Sequence, residues 1–257
     1  MNDKIKHYFR QIRHSTKRTM DFFLGFLGFA IVRSGNEFLD SKITIAAAKA
    51  KGMKINEYVE STTDDERKKG RRDRVIKKMA EVGVFEGLES VCEIGPGTGR
   101  YMEKVIEVAK PRVYEIYETH VGWRDYLKSE YSNEPACAVR AINANGRTLS
   151  ETTDKSCDLV HVHAVFVYLP LLQCLTYVKE AFRVSKSGGF VVLDFIPSET
   201  FDKKIADAWL ASPHKWPVLI PEKLLREMAS QEGFSVQESF EEVYGESFVK
   251  YLIFKRN

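Results

Sequence analysis

The sequence predicts an α/β fold in which a mostly parallel sheet carries helices on both faces. From Leu88 onward, short runs rich in β-branched and aromatic residues alternate with longer segments whose apolar residues recur at helical spacing. The first of these runs leads into a glycine-rich turn and then a helical pattern, an order typical of a strand, a tight turn and a helix. In folds of this kind the ligand site lies at the carboxyl ends of the strands.

The expected elements follow in a regular order along the chain. We expect strands at residues 90–94, 112–117, 158–163 and 190–195, with two closing strands at 235–241 and 247–255. We expect helices at residues 100–109, 121–130, 171–185 and 222–231. The remaining connection, residues 197–221, is long, and long connections at this edge of a sheet tend to form substrate loops or lids.

The chain divides by charge into a basic head and a mildly acidic body. Residues 1–80 hold 19 Lys and Arg against 10 Asp and Glu, whereas residues 81–257 hold 20 against 26. We therefore expect a basic N-terminal helical extension at 1–80 and one larger ligand-binding domain at 81–257. The four cysteines show no C-x-x-C spacing, which indicates reduced structural thiols in an intracellular protein and no zinc site.

The head begins with a segment that resembles a targeting signal. Residues 1–33 combine a basic amphipathic pattern with an uncharged run at residues 22–32. That run is shorter than the roughly 20 apolar residues that a membrane span needs. The segment predicts either a helix on an anionic membrane surface or a partner, or a helix packed on the chain's own core or a second copy. We therefore expect a cytoplasmic protein, with peripheral contact to the inner membrane surface under the first option.

A second basic stretch, residues 66–80, has the apolar stripe Val75, Ile76 and Met79 of an amphipathic helix. Its KKGRR core resembles a nucleic-acid patch. No interleaved aromatic residues support base stacking, so a solvated helix face is the better interpretation. Together with the acidic body, this argues against nucleic acid as a partner.

The glycine turn carries the main functional signal. Gly95, Gly97 and Gly99 alternate as G-x-G-x-G, whereas the dinucleotide fingerprint is G-x-G-x-x-G. Glu93, two residues before the first glycine, would repel a pyrophosphate but would favour a cation or a donor group. The turn therefore favours a ligand that is positive or neutral where a dinucleotide is negative.

The motif Glu93-Ile-Gly95-Pro-Gly97-Thr98-Gly99 resembles the first motif of the class I S-adenosylmethionine-dependent methyltransferases. The similarity of pattern runs from about residue 82 to residue 257. It implies a Rossmann-like methyltransferase fold, with a mostly parallel seven-stranded sheet and helices on both faces. It also implies S-adenosyl-L-methionine as the cofactor, with the acid, the three glycines and Thr98 around its methionine end and ribose.

Two further cofactor positions follow from the resemblance. An acid that ends the second strand can accept both ribose hydroxyls, and the candidates are Glu115 and Glu118. Glu118 is favoured because the apolar strand stops there. The family's adenine-binding Asp is replaced by Asn145-Gly146, so we expect the amide oxygen of Asn145 to accept the adenine amino group.

The fourth strand contains two histidines in DLVHVHAVFVYLP. Strand side chains alternate, so His161 and His163 share one face. His161 is best interpreted as a structural core residue. His163 lies nearer the carboxyl end, and it is either structural or a catalytic residue that also borders the cofactor. If the acceptor needs a general base, His163, Tyr168 and His120 are the candidates.

The resemblance implies an enzyme that transfers a methyl group by in-line displacement. We expect a small molecule or a glycan precursor as acceptor, with O-methylation favoured and Trp209, His214 and Trp216 as candidate acceptor contacts. A membrane-associated, non-catalytic cofactor-binding protein is one alternative. A nicotinamide-dependent oxidoreductase is another, but it would want Tyr-x-x-x-Lys, and Leu172 stands four residues after Tyr168.

Overall fold

The computed structural model describes residues 40–62, 69–132, 134–135, 137–211, 217–245 and 247–257. The chain forms two compact units, residues 1–64 and residues 65–257. The predictions for residues 1–33, including the membrane-surface helix, lie outside the described residues. Within the described ranges, no helix is both long enough and apolar enough to cross a membrane.

The described part of the first unit contains two short helices, α1 (Ser41–Ala50) and α2 (Ile55–Ser61). Asp40 precedes α1, and its Oδ1 accepts a hydrogen bond of 3.0 Å from the backbone N of Ile43. The backbone N of Lys54 donates to Glu57 Oε2 at 3.2 Å at the start of α2. Both contacts satisfy backbone donors that a helix N-terminus leaves without an intrahelical partner. Helical structure is therefore present in this part of the expected extension.

The second unit is built on a sheet that has eight strands among the described residues. The strands are β1 (Ser90–Ile94), β2 (Val113–Glu118), β3 (Ala138–Asn143), β4 (Cys157–Val162), β5 (Ser185–Pro197), β6 (Leu219–Ile220), β7 (Phe234–Tyr244) and β8 (Ser247–Arg256). Seven strands follow the order β3-β2-β1-β4-β5-β8-β7, and β6 pairs with β5 outside this path. Strands β1 to β5 are parallel, whereas β8 is antiparallel to both β5 and β7.

Helices cover both faces of this sheet. They are α3 (Arg71–Glu81), α4 (Arg100–Ala109), α5 (Val121–Glu130), α6 (Leu171–Val184), α7 (Lys203–Ala211) and α8 (Glu222–Gln231). The apolar residues of α3, α4 and α5 share one core cluster with the sheet, and those of α6 and α8 share another. We call the first side of the sheet the α4 face and the second side the α6 face. Each helix buries one apolar stripe and leaves its polar side to solvent.

The predicted fold class is confirmed. The helices expected at residues 100–109, 121–130 and 222–231 have these bounds in the structure. The strand pattern did not predict β3 or β6, and the connection 197–221 contains α7 as well as β6. Strand β3 lies at the edge of the sheet, and none of its six side chains is fully buried, which explains its weak apolar signal.

The division between the two units differs from the expected boundary after residue 80, because it falls between residues 64 and 65. Helix α3 accounts for the difference. Its stripe of Val75, Ile76 and Met79 is buried in the core of the second unit. Arg74 on the same helix forms an ion pair of 2.6 Å with Glu242 of β7. Helix α3 is therefore part of the sheet domain, since both apolar and ionic contacts attach it to the strands.

Candidate functional site

The candidate site lies where β1 and β4 are neighbours in the middle of the sheet. From β1 the chain continues to β2 and β3 on one side, and then it returns to β4 and continues to β5 on the other side. This change of direction is a topological switch point, where the connections that leave the carboxyl ends of two strands diverge and open a crevice. Most of the site residues predicted above lie at this edge.

The glycine turn, residues 95–99, joins β1 to α4 at this crevice. A Cβ built on Gly95 would lie 2.6 Å from Val165 Cγ2, and one on Gly99 would lie 2.6 Å from Leu127 Cδ2. Gly97 has a φ of 55°, and a Cβ built on it would meet no described atom within 4 Å. Close packing together with positive φ values of 64° and 79° therefore favours glycine at positions 95 and 99. Gly97 borders open space at the N-terminus of α4, where backbone amides can approach a ligand.

Glu118 ends β2 beside this turn. Its Oε2 accepts a hydrogen bond of 3.0 Å from the backbone N of Gly97, and its Oε1 accepts one of 2.7 Å from the backbone N of His120. Each carboxylate oxygen can accept a second bond, so the group can still bind two hydroxyls. These contacts place the carboxylate against the glycine turn, as its predicted role on a ribose requires. Thr98 is buried in the same turn.

Glu115, the alternative ribose ligand, has different surroundings. It lies inside β2, where Arg140 of β3 donates to its Oε1 and the Thr152 hydroxyl donates to its Oε2 at 2.5 Å. Both carboxylate oxygens are therefore engaged by side chains within the fold, away from the glycine turn. Glu118, which borders the glycine turn, therefore stays the predicted cofactor residue.

Glu93 points into the protein beneath the glycine turn. The Tyr114 hydroxyl donates to its Oε2 at 2.7 Å and also lies 2.7 Å from Nε2 of His161. Burial raises the pKa of Glu93 from 4.5 to about 8, an effect that the Tyr114 bond opposes and the charge of Glu118 adds to. A buried carboxyl with this pKa is protonated at neutral pH. A protonated Glu93 carries no negative charge, so it lacks the attraction for a cation that the sequence predicted. Its contacts favour a structural role beneath the glycine turn.

Asn145 and Gly146 lie on the loop between β3 and β4. The Oδ1 of Asn145 accepts hydrogen bonds from the backbone N of Arg147 at 2.8 Å and of Thr148 at 2.9 Å. This oxygen already holds its own turn, so the contacts disfavour the predicted bond to an adenine amino group. Gly146 lies closer to the site: its carbonyl accepts a bond from Gln173, and a Cβ built on it would lie 3.8 Å from Cγ2 of Thr119, next to Glu118.

His163 follows β4 and is buried on the α4 face. Its ring stacks on Tyr101 of α4, with ring centroids 3.7 Å apart, and lies 5.8 Å from the ring of Tyr251. Neither ring nitrogen has a hydrogen-bond partner among the described residues. Burial lowers the pKa of His163 well below 6.5, and the neighbouring His161 and Arg71 lower it further. The imidazole is therefore neutral at physiological pH, and these surroundings oppose its protonation.

His161 fits its predicted structural role. Its side chain is fully buried, and Nε2 contacts the Tyr114 hydroxyl at 2.7 Å. Burial lowers the pKa of His161 to about 3. Because Glu93 is protonated and His161 is neutral near pH 7, their 3.8 Å approach is a contact between uncharged groups.

The other candidate bases and acceptor contacts have different surroundings. Nδ1 of His120 accepts a hydrogen bond of 3.3 Å from the backbone N of Trp123, so His120 caps the N-terminus of α5. Tyr168 lies on a short 3₁₀ helix after β4 and packs, half-buried, against the core cluster of the α4 face. Trp209 lies on α7 with its ring 5.3 Å from that of Phe201. The predicted contacts at positions 214 and 216 lie outside the described residues.

Sequence reasoning missed a polar cluster next to His163, formed by Arg71, Tyr101, Asp194 and Tyr251. One signal was available, because Asp194 interrupts the apolar run of β5 and is fully buried. A buried carboxylate generally needs a partner. Its partner, Arg71, is 123 positions away in the chain, and no local pattern connects the two.

The described residues contain no group of three or more His, Cys, Asp and Glu side chains arranged to hold a metal ion. The four cysteines are free thiols and are buried.

Comparison with known proteins identifies a domain over the centre of the sheet. Residues 92–193 match the family model of a methyltransferase domain. This range runs from β1 to β5 and includes the glycine turn, Glu118 and His163. No curated protein matches the chain.

Solved structures share the fold at low sequence identity. Magnesium protoporphyrin IX methyltransferase from Synechocystis PCC 6803, solved with bound S-adenosyl-L-homocysteine, has a TM-score of 0.55 and 14% identity over 73% of this chain and 82% of that chain. The N-methyltransferase NodS from Bradyrhizobium japonicum, in complex with the same compound, has a TM-score of 0.55 and 15% identity over 75% and 89%. An O-methyltransferase family protein from Burkholderia thailandensis has a TM-score of 0.57 and 15% identity over 86% and 63%.

Proposed function

We propose that the chain is a class I S-adenosylmethionine-dependent methyltransferase that methylates a hydroxyl group of a small molecule or a glycan precursor. The match of residues 92–193 to a methyltransferase domain and the fold shared with solved methyltransferases support this proposal. The observation that carries the proposal is the pairing of Glu118 with the backbone N of Gly97, at 3.0 Å, beside the open space that Gly97 borders. A carboxylate beside a glycine turn at the carboxyl ends of β1 and β2 fits the ribose and the methionine end of S-adenosyl-L-methionine.

Different residues of the site would bind different parts of the cofactor. Glu118 would accept the ribose hydroxyls, and the turn with Gly95, Gly97, Thr98 and Gly99 would approach the cofactor with its backbone. Gly146 lies near Thr119 and supports an adenine position beyond the ribose. Asn145 is the weakest of the predicted contacts, because its amide oxygen already accepts two backbone bonds.

The bound cofactor supplies a methyl group that is activated by the sulfonium charge. The chain then needs to align the acceptor hydroxyl and keep water away. His163 is our candidate proton acceptor, because neither ring nitrogen has a partner among the described residues. Burial and the neighbouring Arg71 lower its pKa well below 6.5, so it can act as a base only when acceptor binding changes these surroundings. Both nitrogens are buried beneath Tyr101, so acceptor binding requires a movement of that side chain. Tyr168 remains a second, less direct candidate.

Charge supports a small acceptor over nucleic acid. The sheet domain is acidic, since residues 81–257 hold 20 Lys and Arg against 26 Asp and Glu. The basic helix α3 uses Arg71 and Arg74 in ion pairs with Asp194 and Glu242. These guanidinium groups bind carboxylates of the same domain, which leaves them poorly placed for phosphates.

The proposal is tested in two steps on the full chain. Calorimetric titration with S-adenosyl-L-methionine should give saturable binding, whereas binding of NADH in its place would overturn the donor assignment. Transfer of labelled methyl groups to pools of small hydroxylated metabolites should then identify the acceptor. His163→Gln should lower that transfer by about 100-fold or more, and Leu172→Ala, a change at an exposed residue outside the site, is the control. Transfer that survives in His163→Gln would remove His163 as the base.

A further inference from the structure

The backbone of the turn after β4 has an unusual conformation at Ala164. Its φ is 56°, in the left-handed region that residues other than glycine rarely adopt. The two other non-glycine residues with positive φ among the described residues, Lys110 and Lys155, lie at a helix end and in a turn far from the crevice. Ala164 directly follows His163 at the carboxyl edge of the sheet. Backbone strain at such an edge persists only where surrounding contacts enforce it.

Asp194 supplies the enforcing contact. Its Oδ1 accepts a hydrogen bond of 2.7 Å from the backbone N of Ala164, and its Oδ2 accepts one of 3.0 Å from Nη2 of Arg71. The Asp194 side chain is fully buried, while that of Arg71 is 14% exposed. Burial raises the pKa of Asp194, and Arg71 and the Ala164 amide act against that effect. The guanidinium therefore helps to keep ionised the carboxylate that holds Ala164.

The same guanidinium extends the cluster to the catalytic candidate. Arg71 Nη2 donates to the Tyr251 hydroxyl at 3.1 Å, and that hydroxyl lies 3.3 Å from the hydroxyl of Tyr101. Tyr101 in turn stacks on the ring of His163. His163 is therefore restrained on two sides, by the backbone of Ala164 and by the ring of Tyr101. Both restraints lead back to Arg71, the first residue of α3.

The residue after Ala164 connects the turn to the cofactor cradle. Val165 packs so closely on Gly95 that a Cβ at position 95 would lie 2.6 Å from its Cγ2. The amide of Gly95 donates to the carbonyl of Tyr117 at 2.9 Å, which attaches the glycine turn to β2. A change of backbone conformation at Ala164 would move Val165 relative to Gly95. The glycine turn would then lose the surface against which it is packed.

We propose that Asp194, held by Arg71, is a positioning residue: it keeps Ala164 in the left-handed conformation and so holds Val165 against the glycine turn and His163 at the crevice. This inference rests on the proposed function, because it concerns the cradle that binds the cofactor. This inference makes cofactor binding depend on Asp194 of β5 and Arg71 of α3, two residues outside the glycine motif. It also explains the strained backbone of Ala164, because the hydrogen bond to Asp194 holds this conformation and the conformation sets the positions of His163 and Val165.

The test measures binding of S-adenosyl-L-homocysteine by calorimetry, with thermal unfolding of each variant as a separate readout. Asp194→Ala removes the acceptor for the Ala164 amide. The affinity should fall by about tenfold, the factor that corresponds to the usual penalty of a left-handed residue. Adding Ala164→Gly should restore most of the affinity, because glycine adopts this φ without strain. The melting temperature should stay low in the double variant, because Arg71 still lacks its buried partner.

The rescue separates positioning from a general loss of stability. In a double-mutant cycle, the gain from Ala164→Gly should be larger when Asp194 is absent than when it is present. If Asp194→Ala fails to fold, Asp194→Asn takes its place, since its amide cannot serve both Ala164 and Arg71 as acceptor. It should weaken binding by about threefold, again with rescue by glycine. Arg74→Met is the matched control, because it breaks the Glu242 ion pair on the same helix without touching the turn.

Each outcome has a distinct meaning. An unchanged chain that does not bind S-adenosyl-L-homocysteine contradicts the proposed function, and the positioning role falls with it. An unchanged chain that binds, with an Asp194→Ala variant that binds equally well, contradicts only the positioning role. The positioning role is also overturned if glycine at position 164 fails to restore affinity, or if Arg74→Met weakens binding as much as Asp194→Ala does.

Discussion

The two faces of the central sheet bury different kinds of side chain. On the α6 face, helices α6 and α8 cover an apolar cluster, and the buried Glu115 has side-chain partners for both of its oxygens. On the α4 face, a row of polar groups crosses β2, β1, β4, β5 and β8 beneath the helices. Its members are Glu93, Tyr114, His161, His163, Asp194 and Tyr251.

The faces also differ in how completely the buried polar atoms are paired. Among the described residues, the unpaired nitrogens of His161, His163 and Arg71 all belong to the α4 face, near the carboxyl edge. Burying polar atoms without partners costs free energy, and such atoms concentrate where a ligand or a reaction supplies the missing contact. Both faces therefore contribute an apolar core, and the unpaired nitrogens of His161, His163 and Arg71 are placed on the α4 face.

The largest expected effect belongs to the α6 face. Phe182 is fully buried there, with its ring 4.5 Å from that of Phe234 and 5.7 Å from that of Phe254. Phe182→Ala should lower the free energy of unfolding by about 3–5 kcal/mol, because it removes buried apolar surface and leaves a cavity. Urea denaturation measures the loss, with the exposed Leu172→Ala as control. A loss below about 1 kcal/mol would contradict the close packing of Phe182 in this cluster.

The next effect appears as a pH dependence on the α4 face. Burial raises the pKa of Glu93 from 4.5 to about 8, so the folded chain holds a proton that the unfolded chain releases. The stability of the protein should therefore fall as the pH rises through this window. Glu93→Gln keeps an oxygen for the Tyr114 hydroxyl but cannot titrate.

Urea denaturation at about pH 5 and about pH 9 checks this prediction. Between these two pH values, the free energy of unfolding of the unchanged chain should fall relative to that of Glu93→Gln by roughly a few kcal/mol. Parallel stability curves for the two proteins would mean that Glu93 is ionised in the fold. Its charge would then be available to a cationic ligand, as the sequence suggested.

His161, the other partner of the Tyr114 hydroxyl, should give an effect of opposite sign. Burial lowers the pKa of His161 from 6.5 to about 3, so the unfolded chain binds a proton that the folded chain excludes. Between about pH 6.5 and about pH 3, His161 alone should lower the free energy of unfolding by about 1 kcal/mol for each unit by which the pH falls. His161→Gln should make this acid limb shallower in urea denaturation. An unchanged slope would place the responsible proton on another group.

The sequence predicted the fold well because its signals are local. The apolar run that ends at Ile94, the glycine turn and the helix that begins at Arg100 are contiguous, and their bounds agree with the structure. The short edge strand β3 lacks a strong apolar pattern, and it was missed. The end of the apolar run favours Glu118 over Glu115 as the ribose ligand, and this choice stays a prediction. In the structure Glu118 contacts the glycine turn, and Glu115 contacts Thr152.

The parts of the site that escaped prediction depend on distant pairs. The orientation of Glu93 toward Tyr114 and the bond from Arg71 to Asp194 join residues on separate strands and helices. The conformation of Ala164 follows from one of these pairs, since Asp194 holds its amide. Such features depend on how elements pack, and spacing along the chain carries no information about them.

The most direct test of the account compares two carboxylates of β2 that face different surroundings. Glu118→Ala should weaken binding of S-adenosyl-L-homocysteine by about 1–3 kcal/mol, because it removes hydrogen bonds to a charged acceptor, and Glu115→Ala should weaken it less. Calorimetric titration of both variants and the unchanged chain gives the ranking, with thermal unfolding to confirm that each is folded. A larger loss in Glu115→Ala, or no loss in Glu118→Ala, would contradict the assignment of the cofactor site to the edge beside the glycine turn.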